Sequence, residues 1–111
     1  MICILLQILI IQTHYQSFNG FKYASLKESV IDSNFIKMNS LSTLNTTNKM
    51  NCLAECSKDL NCVLAYYNKT SITNSCFLLE NQATVNDIIK SKSGVVYLRC
   101  RKVFILNLLL L

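Results

Sequence analysis

Four of the chain's six cysteines, Cys52, Cys56, Cys62 and Cys76, crowd into one stretch from Asn51 to Glu80, with three, five and thirteen residues between them. Cys52 and Cys56 are four apart. On a helix they share one face, one turn above the other. Leu53 and Leu60 extend that face, while Glu55, Lys58 and Asp59 fall largely outside it. Asn48 is placed to cap the helix start, where its side chain can accept a bond from an orphaned amide. Then the period changes. Cys62-Val63-Leu64-Ala65-Tyr66-Tyr67 is short, apolar and aromatic, which predicts a buried strand. Asn68 to Ser75 is polar and turn-like, and Cys76-Phe77-Leu78-Leu79 predicts a second strand. Residues 62–79 therefore read as a hairpin with a long loop. The helix would lie across it with its cysteines facing the strands.

Two chemistries account for cysteines clustered in this way. A zinc site usually shows close pairs such as C-x2-C, and this spacing has none. Disulfides need an oxidising compartment, and the start of the chain points to one. Ile2 to Ile11 is apolar except for Gln7. That run is too short for a spanning helix, which needs roughly 20 residues. It suits the apolar core of a secretory signal, although no Lys or Arg precedes it. Residues 1–17 are accordingly read as a signal peptide. Cys3 and His14, the one histidine, would leave with it. The expectation is a secreted, disulfide-stapled chain with no metal and no cofactor. Four cysteines allow three connectivities, and spacing alone does not choose among them.

The pattern C-x3-C-x5-C, then an aromatic strand, then Cys-Phe-Leu-Leu, resembles the PAN/apple module of extracellular proteins. Gly94-Val95-Val96-Tyr97-Leu98-Arg99-Cys100 fits the strand on which such modules close. The resemblance covers about residues 30–100, with its specific part at 52–79. It implies a small disulfide-stapled α+β fold, an antiparallel sheet with one helix packed across it. It implies bridges Cys56–Cys62 and Cys52–Cys76. It also implies a non-catalytic binding module for a protein or carbohydrate ligand. One feature departs from the full apple pattern. That pattern has an early cysteine bridged to the closing one, and none stands between Phe18 and Asn51. Cys100 is therefore expected to be unpaired or to bridge to a second chain, which would give a dimer.

The domain layout expected is a signal peptide at 1–17, an N-terminal extension at 18–29, the PAN/apple-like domain at 30–102 and an apolar tail at 103–111. About 94 residues after cleavage suffice for one domain, and a core so small depends on staples. Ser29 to Asp32 and Asn34 to Lys37 read as short strands. Asn39 to Asn48, rich in Ser, Thr and Asn, reads as a surface loop. Gln82 to Ser93 reads as a helical turn or a loose excursion. Asn45-Thr46-Thr47 and Asn68-Lys69-Thr70 are glycosylation sequons in expected loops. The tail from Val103 to Leu111 is too short to cross a bilayer as a helix, and it fits a GPI signal poorly. It reads as an extra edge strand or a sticky terminus. Membrane attachment enters only if the chain is part of something longer.

Catalytic constellations do not assemble from these residues. Once His14 is gone there is no imidazole to activate a nucleophile. Glu55 and Asp59 are helix neighbours with Lys58 between them, which reads as a solvated face rather than an acid–base pair. No Gly-rich phosphate loop is present. Tyr66 and Tyr67, adjacent on a strand, point to opposite faces, so they do not form a stacking platform for nucleic acid. The net charge is +5. Lys90, Lys92, Arg99, Arg101 and Lys102 gather much of it near one end, a candidate binding surface for acidic partners such as sulfated glycans or anionic membrane surfaces. Two further readings stand beside the binding module. One is a small secreted signal or toxin-like effector. The other is a fragment of a larger membrane-attached extracellular protein.

Overall fold

The computed structural model describes residues 13–70 and 75–100, with side chains from Ser17 onward. Six antiparallel strands form one sheet in the order β1-β2-β6-β4-β5-β3. Their ranges are β1 Thr13–Phe18, β2 Phe21–Ile31, β3 Ser40–Leu44, β4 Leu64–Asn68, β5 Cys76–Leu79 and β6 Ile88–Arg99. Two helices, α1 at Ser33–Asn39 and α2 at Lys49–Lys58, cover opposite faces, and a 3-10 turn at Val85–Asp87 leads into β6.

Alternation along the strands divides the core in two. Ala24, Leu26, Leu64, Tyr66, Leu79, Val96 and Leu98 form the core on the α1 face. Tyr23, Ala65, Leu78 and Tyr97 form the other with Cys52, Leu53 and Cys56 of α2. A central strand covered on both faces reads as a continuous apolar run rather than an alternating one. β6 does so, being buried without a break from Val96 to Arg99.

Helix α2 starts where the sequence places it, with Asn48 Oδ1 accepting from the Asn51 amide at 2.9 Å. Its buried stripe is Cys52, Leu53, Cys56 and Ser57. Leu60 is not part of that stripe. The helix ends at Lys58 and Leu60 is 82% exposed in the turn beyond. Cys52 is bonded to Cys76 on β5, and Cys56 to Cys62 just before β4. The first bridge closes a separation of 24 residues. In the chain-entropy model such a loop is worth about 3–4 kcal/mol.

Several local expectations give way to tertiary pairing. Asn34 to Lys37 is helical, not a strand. Asp32 caps α1 by accepting from the Asn34 amide at 3.2 Å, and Phe35 and Ile36 pack on the sheet. The expected loop at 39–48 contains β3, because β5 offers it an edge to pair with. Gln82 to Ser93 contains the start of β6, paired with β2 from Ile88. Residues 18–29, expected as an extension outside the domain, supply most of β2, which lies inside the sheet between β1 and β6. Tyr23, Ala24 and Leu26 are core residues. The Asn19–Gly20 turn that makes this hairpin has φ of 50° and 82°, as a two-residue type I′ turn requires. Residues 1–12 of the expected signal lie outside the described residues. Thr13 to Ser17 belong to β1, so a cut after Ser17 would fall within that strand.

Candidate functional site

The expected basic surface divides into parts with different roles. Arg101 and Lys102 lie outside the described residues, as does the apolar tail. Lys90 and Lys92 are both exposed on β6, but only Lys92 lines the cleft described below, so Lys90 is corrected from the candidate binding surface. Arg99 is not a surface residue at all, being only 5% exposed. Its side chain runs under the C-terminal end of α2. Nη2 donates to the Cys56 carbonyl, Nη1 donates to the Asp59 carbonyl at 3.1 Å, and Nε and Nη2 both donate to the Tyr23 hydroxyl. The guanidinium also lies 4.1 Å from the centre of the Phe21 ring. A buried charge needs such company. Carbonyls at a helix C-terminus carry partial negative charge, and an aromatic face adds attraction. The Tyr23 hydroxyl continues the network to Ser57 Oγ at 2.8 Å. Arg99 therefore holds α2 to the sheet and is corrected from the candidate binding surface.

The opposite end of α2 carries the candidate site. One row of the sheet sets Lys27 of β2 beside Val95 of β6, and Val95 beside Tyr67 of β4. Paired residues share a face, here the α2 face. The helix covers the next rows of that face but begins too late to close over this one. A cleft of about 190 Å³ remains, with Tyr67 and Val95 in its lining and Lys49, the first residue of α2, on one side.

An irregularity in the sheet brings the other cations. Lys27 pairs with Val95, yet Ser29 pairs with Lys90, so residues 91–94 of β6 stand opposite Glu28 alone. Glu28 takes up the mismatch with φ of 51°. The excursion carries Lys92 to the cleft, and the Ser93 carbonyl accepts from the Lys69 amide at 2.9 Å, which anchors Lys69 beside it. Gly94 permits the crowding. A Cβ there would stand 2.3 Å from the Ser29 carbonyl oxygen and 2.9 Å from the Tyr66 ring. Lys27, Lys49, Lys69 and Lys92 thus line one small cleft with a single carboxylate, Glu28. Among the described residues the ion pair found is Lys58–Glu55, at 3.3 Å and well exposed, so none of the four is held by an acid.

Tyr66 and Tyr67 face opposite sides, as the sequence predicts. Tyr66 stacks on Phe77 at 5.3 Å in the α1-face core, while Tyr67 donates to the Thr47 carbonyl at 3.4 Å on the cleft side. Burial pushes the phenols of Tyr66 and Tyr97 above their ordinary values; for Tyr66 hydrogen bonds from Asn68 and the Ile31 backbone offset part of it. Both stay neutral at physiological pH and add no charge. A wider recess of about 530 Å³ lies between the far end of α2 and β3, where Glu55, Lys58 and Asp59 mix their charges.

The sequon residues differ in setting. Asn45 is exposed just past β3. Asn68 is half-buried, donates to the Tyr66 hydroxyl at 3.0 Å and accepts from the Thr70 amide and hydroxyl. Among the described residues no cysteine is free, and Cys100 is itself disulfide-bonded. The expectation of an unpaired or intermolecular Cys100 is corrected, since a bonded sulfur has no thiol to offer a second chain. Among the described residues no group of His, Cys, Asp and Glu could hold a metal ion.

A family model for the PAN-like domain matches residues 30–99. The chain belongs to the PAN-like domain family. Among curated proteins, none matches it. PAN-like domains are in general non-catalytic binding modules and are typically extracellular. The Cys52–Cys76 and Cys56–Cys62 disulfides fit an oxidising setting. No described helix is long and apolar enough to cross a membrane. The family model starts inside β2, whereas the folded sheet of this PAN-like domain takes in the whole β1–β2 hairpin.

Proposed function

We propose that this PAN-like domain is a secreted, non-catalytic module that binds a protein or carbohydrate ligand through the four-lysine cleft. The observation that supports it is the meeting of Lys27, Lys49, Lys69 and Lys92 in one recess with no acid pairing them. Clustered like charge is a cost to the fold, and sites that break local rules are where function is expected. The staples support an extracellular life. The sequons support a glycoprotein, with exposed Asn45 the better acceptor and Asn68 already engaged in the fold.

The reading is tested on protein secreted from eukaryotic cells. Peptide-N-glycosidase treatment is expected to lower its apparent mass, and the shift is expected to vanish in Asn45→Gln. Display on carbohydrate and extracellular-protein arrays is expected to give saturable binding, with every recovered ligand chemically unchanged. Retention of the chain inside the cell, or turnover of a bound ligand, would sink the proposal.

A further inference from the structure

We infer that the four-lysine cleft takes one acidic ring of a sulfated or uronic-acid polysaccharide, the rest of the polymer running past it over the surface. The inference rests on the binding-module reading and names the ligand of that same cleft. Size comes first. About 190 Å³ is below the roughly 300 Å³ at which pockets for whole drug-sized ligands begin. The cleft holds a ring or a single anionic group, so a ligand of useful affinity must continue outside it.

The kind of cation comes second. All four are lysines, compact and strongly hydrated point charges on flexible stems. They lack the rigid fork with which arginine fixes one planar anion bidentately. Such a set suits a polymer whose anionic groups vary in position from unit to unit. Tyr67, Val95 and Gly94 supply a lining between the charges against which the less polar face of a sugar ring can lie. Lys49 adds a further sign. It occupies the first turn of α2, which holds no acidic residue, and a cation there opposes the helix dipole. Local stability would prefer an acid at that position.

The lining also separates a polysaccharide from a lipid surface. Anionic membranes are held by basic residues together with apolar groups that insert. Among the described residues the large exposed apolar side chains are Met38, Met50, Leu60, Val85 and Ile89. None of them lines the cleft.

The test uses the secreted chain and a heparin-derived hexasaccharide as probe, titrated at several salt concentrations. Two triple variants are compared. One is Lys27→Ala/Lys69→Ala/Lys92→Ala in the cleft. The other is Lys37→Ala/Lys58→Ala/Lys90→Ala outside it, so both lower the net charge of +5 by three. All six side chains are exposed, so both variants are expected to melt with the wild type. The cleft variant is expected to lose at least about tenfold in affinity at physiological salt and to show a flatter salt dependence. The outside variant is expected to stay within about twofold. Equal weakening of both would overturn the inference, because net charge and not the cleft would then set affinity. So would capture of phosphatidylserine vesicles with no hexasaccharide binding. Array binding to a protein or neutral glycan that survives the cleft variant would overturn the polysaccharide assignment and leave a binding module standing. Absence of any array ligand would overturn both.

Discussion

The two ends of helix α2 carry the same sign of added charge and treat it in opposite ways. At the C-terminal end one cation, Arg99, is buried, and each of its three guanidinium nitrogens meets an oxygen of the same chain. At the N-terminal end four lysines stand exposed around a cleft and meet no acid. Helix electrostatics favours the first arrangement and opposes the second. A cation that satisfies itself within the fold is part of the architecture. Cations gathered against the local preference are open to a partner from outside the fold, as proposed above.

The largest break in this comparison is Arg99→Leu. The Tyr23 hydroxyl and the Cys56 and Asp59 carbonyls would lose their shared donor. Loss of a buried charge-assisted network of this kind costs about 3 kcal/mol. Urea unfolding should show it as a lower midpoint, while hexasaccharide affinity, measured where the variant is still folded, stays near wild type. A variant of normal stability with weakened binding would return Arg99 to the binding surface.

Arg99 also shows what was legible in the sequence and what was not. The cysteine spacing, the Asn48 cap and the change of period at Cys62 carry α2, the β4–β5 hairpin and the way one lies on the other. These are local signals, and they hold. The charge of Arg99 is a local signal too, but its fate is set by position. Val95, Tyr97 and Arg99 alternate on the face that α2 covers, so the strand delivers the arginine under the helix. The run from Val96 to Leu98, apolar without alternation, was the clue that both faces are buried. Asn19-Gly20 was likewise readable as a hairpin turn. The cleft was not readable. Lys27, Lys49, Lys69 and Lys92 lie far apart in sequence, and only the order β2-β6-β4 and the bulge opposite Glu28 bring them together. β3 was hidden for the same reason, since a Ser- and Thr-rich segment becomes a strand only because β5 pairs with it.

Gly94→Ala acts at the other end of the comparison. The new methyl group would stand 2.3 Å from a backbone oxygen, that of Ser29. A side chain could swing away; a paired strand cannot do so without disturbing its neighbours. Overpacking of this sort costs about 2 kcal/mol. Because Gly94 lines the cleft, this variant is expected to lose stability and hexasaccharide affinity together, unlike Arg99→Leu. Thermal melting and titration on the same preparation separate the two patterns. A wild-type melting temperature would show that β2 and β6 do not approach so closely.

Tyr23→Phe is a gentler probe of the Arg99 end. It keeps the ring, which is fully buried, and removes the hydroxyl that joins Arg99 to Ser57. One buried hydrogen-bonding group of this kind is worth about 1 kcal/mol. The double variant Tyr23→Phe/Arg99→Leu should lose less than the sum of the single losses, since both remove the same contact. Additive losses would mean that the tyrosine and the arginine stabilise α2 independently.

The smallest expected effect is the most telling, because its sign differs between fold and function. Lys49 opens α2 just after the Asn48 cap, in a first turn without acidic residues. Lys49→Glu replaces a charge that opposes the helix dipole with one that favours it, a gain of about 0.5 kcal/mol at an exposed site. It also places a second carboxylate beside Glu28 at the cleft. The variant is therefore expected to unfold at slightly higher urea and to bind the hexasaccharide more weakly than the wild type. Raising the salt should narrow the affinity difference, since exposed charges are screened beyond about 8 Å at physiological ionic strength. Stabilisation with unchanged binding would remove Lys49 from the cleft's cations. Destabilisation would mean that the lysine contributes to the fold, and the contrast between the two ends of α2 would lose its basis.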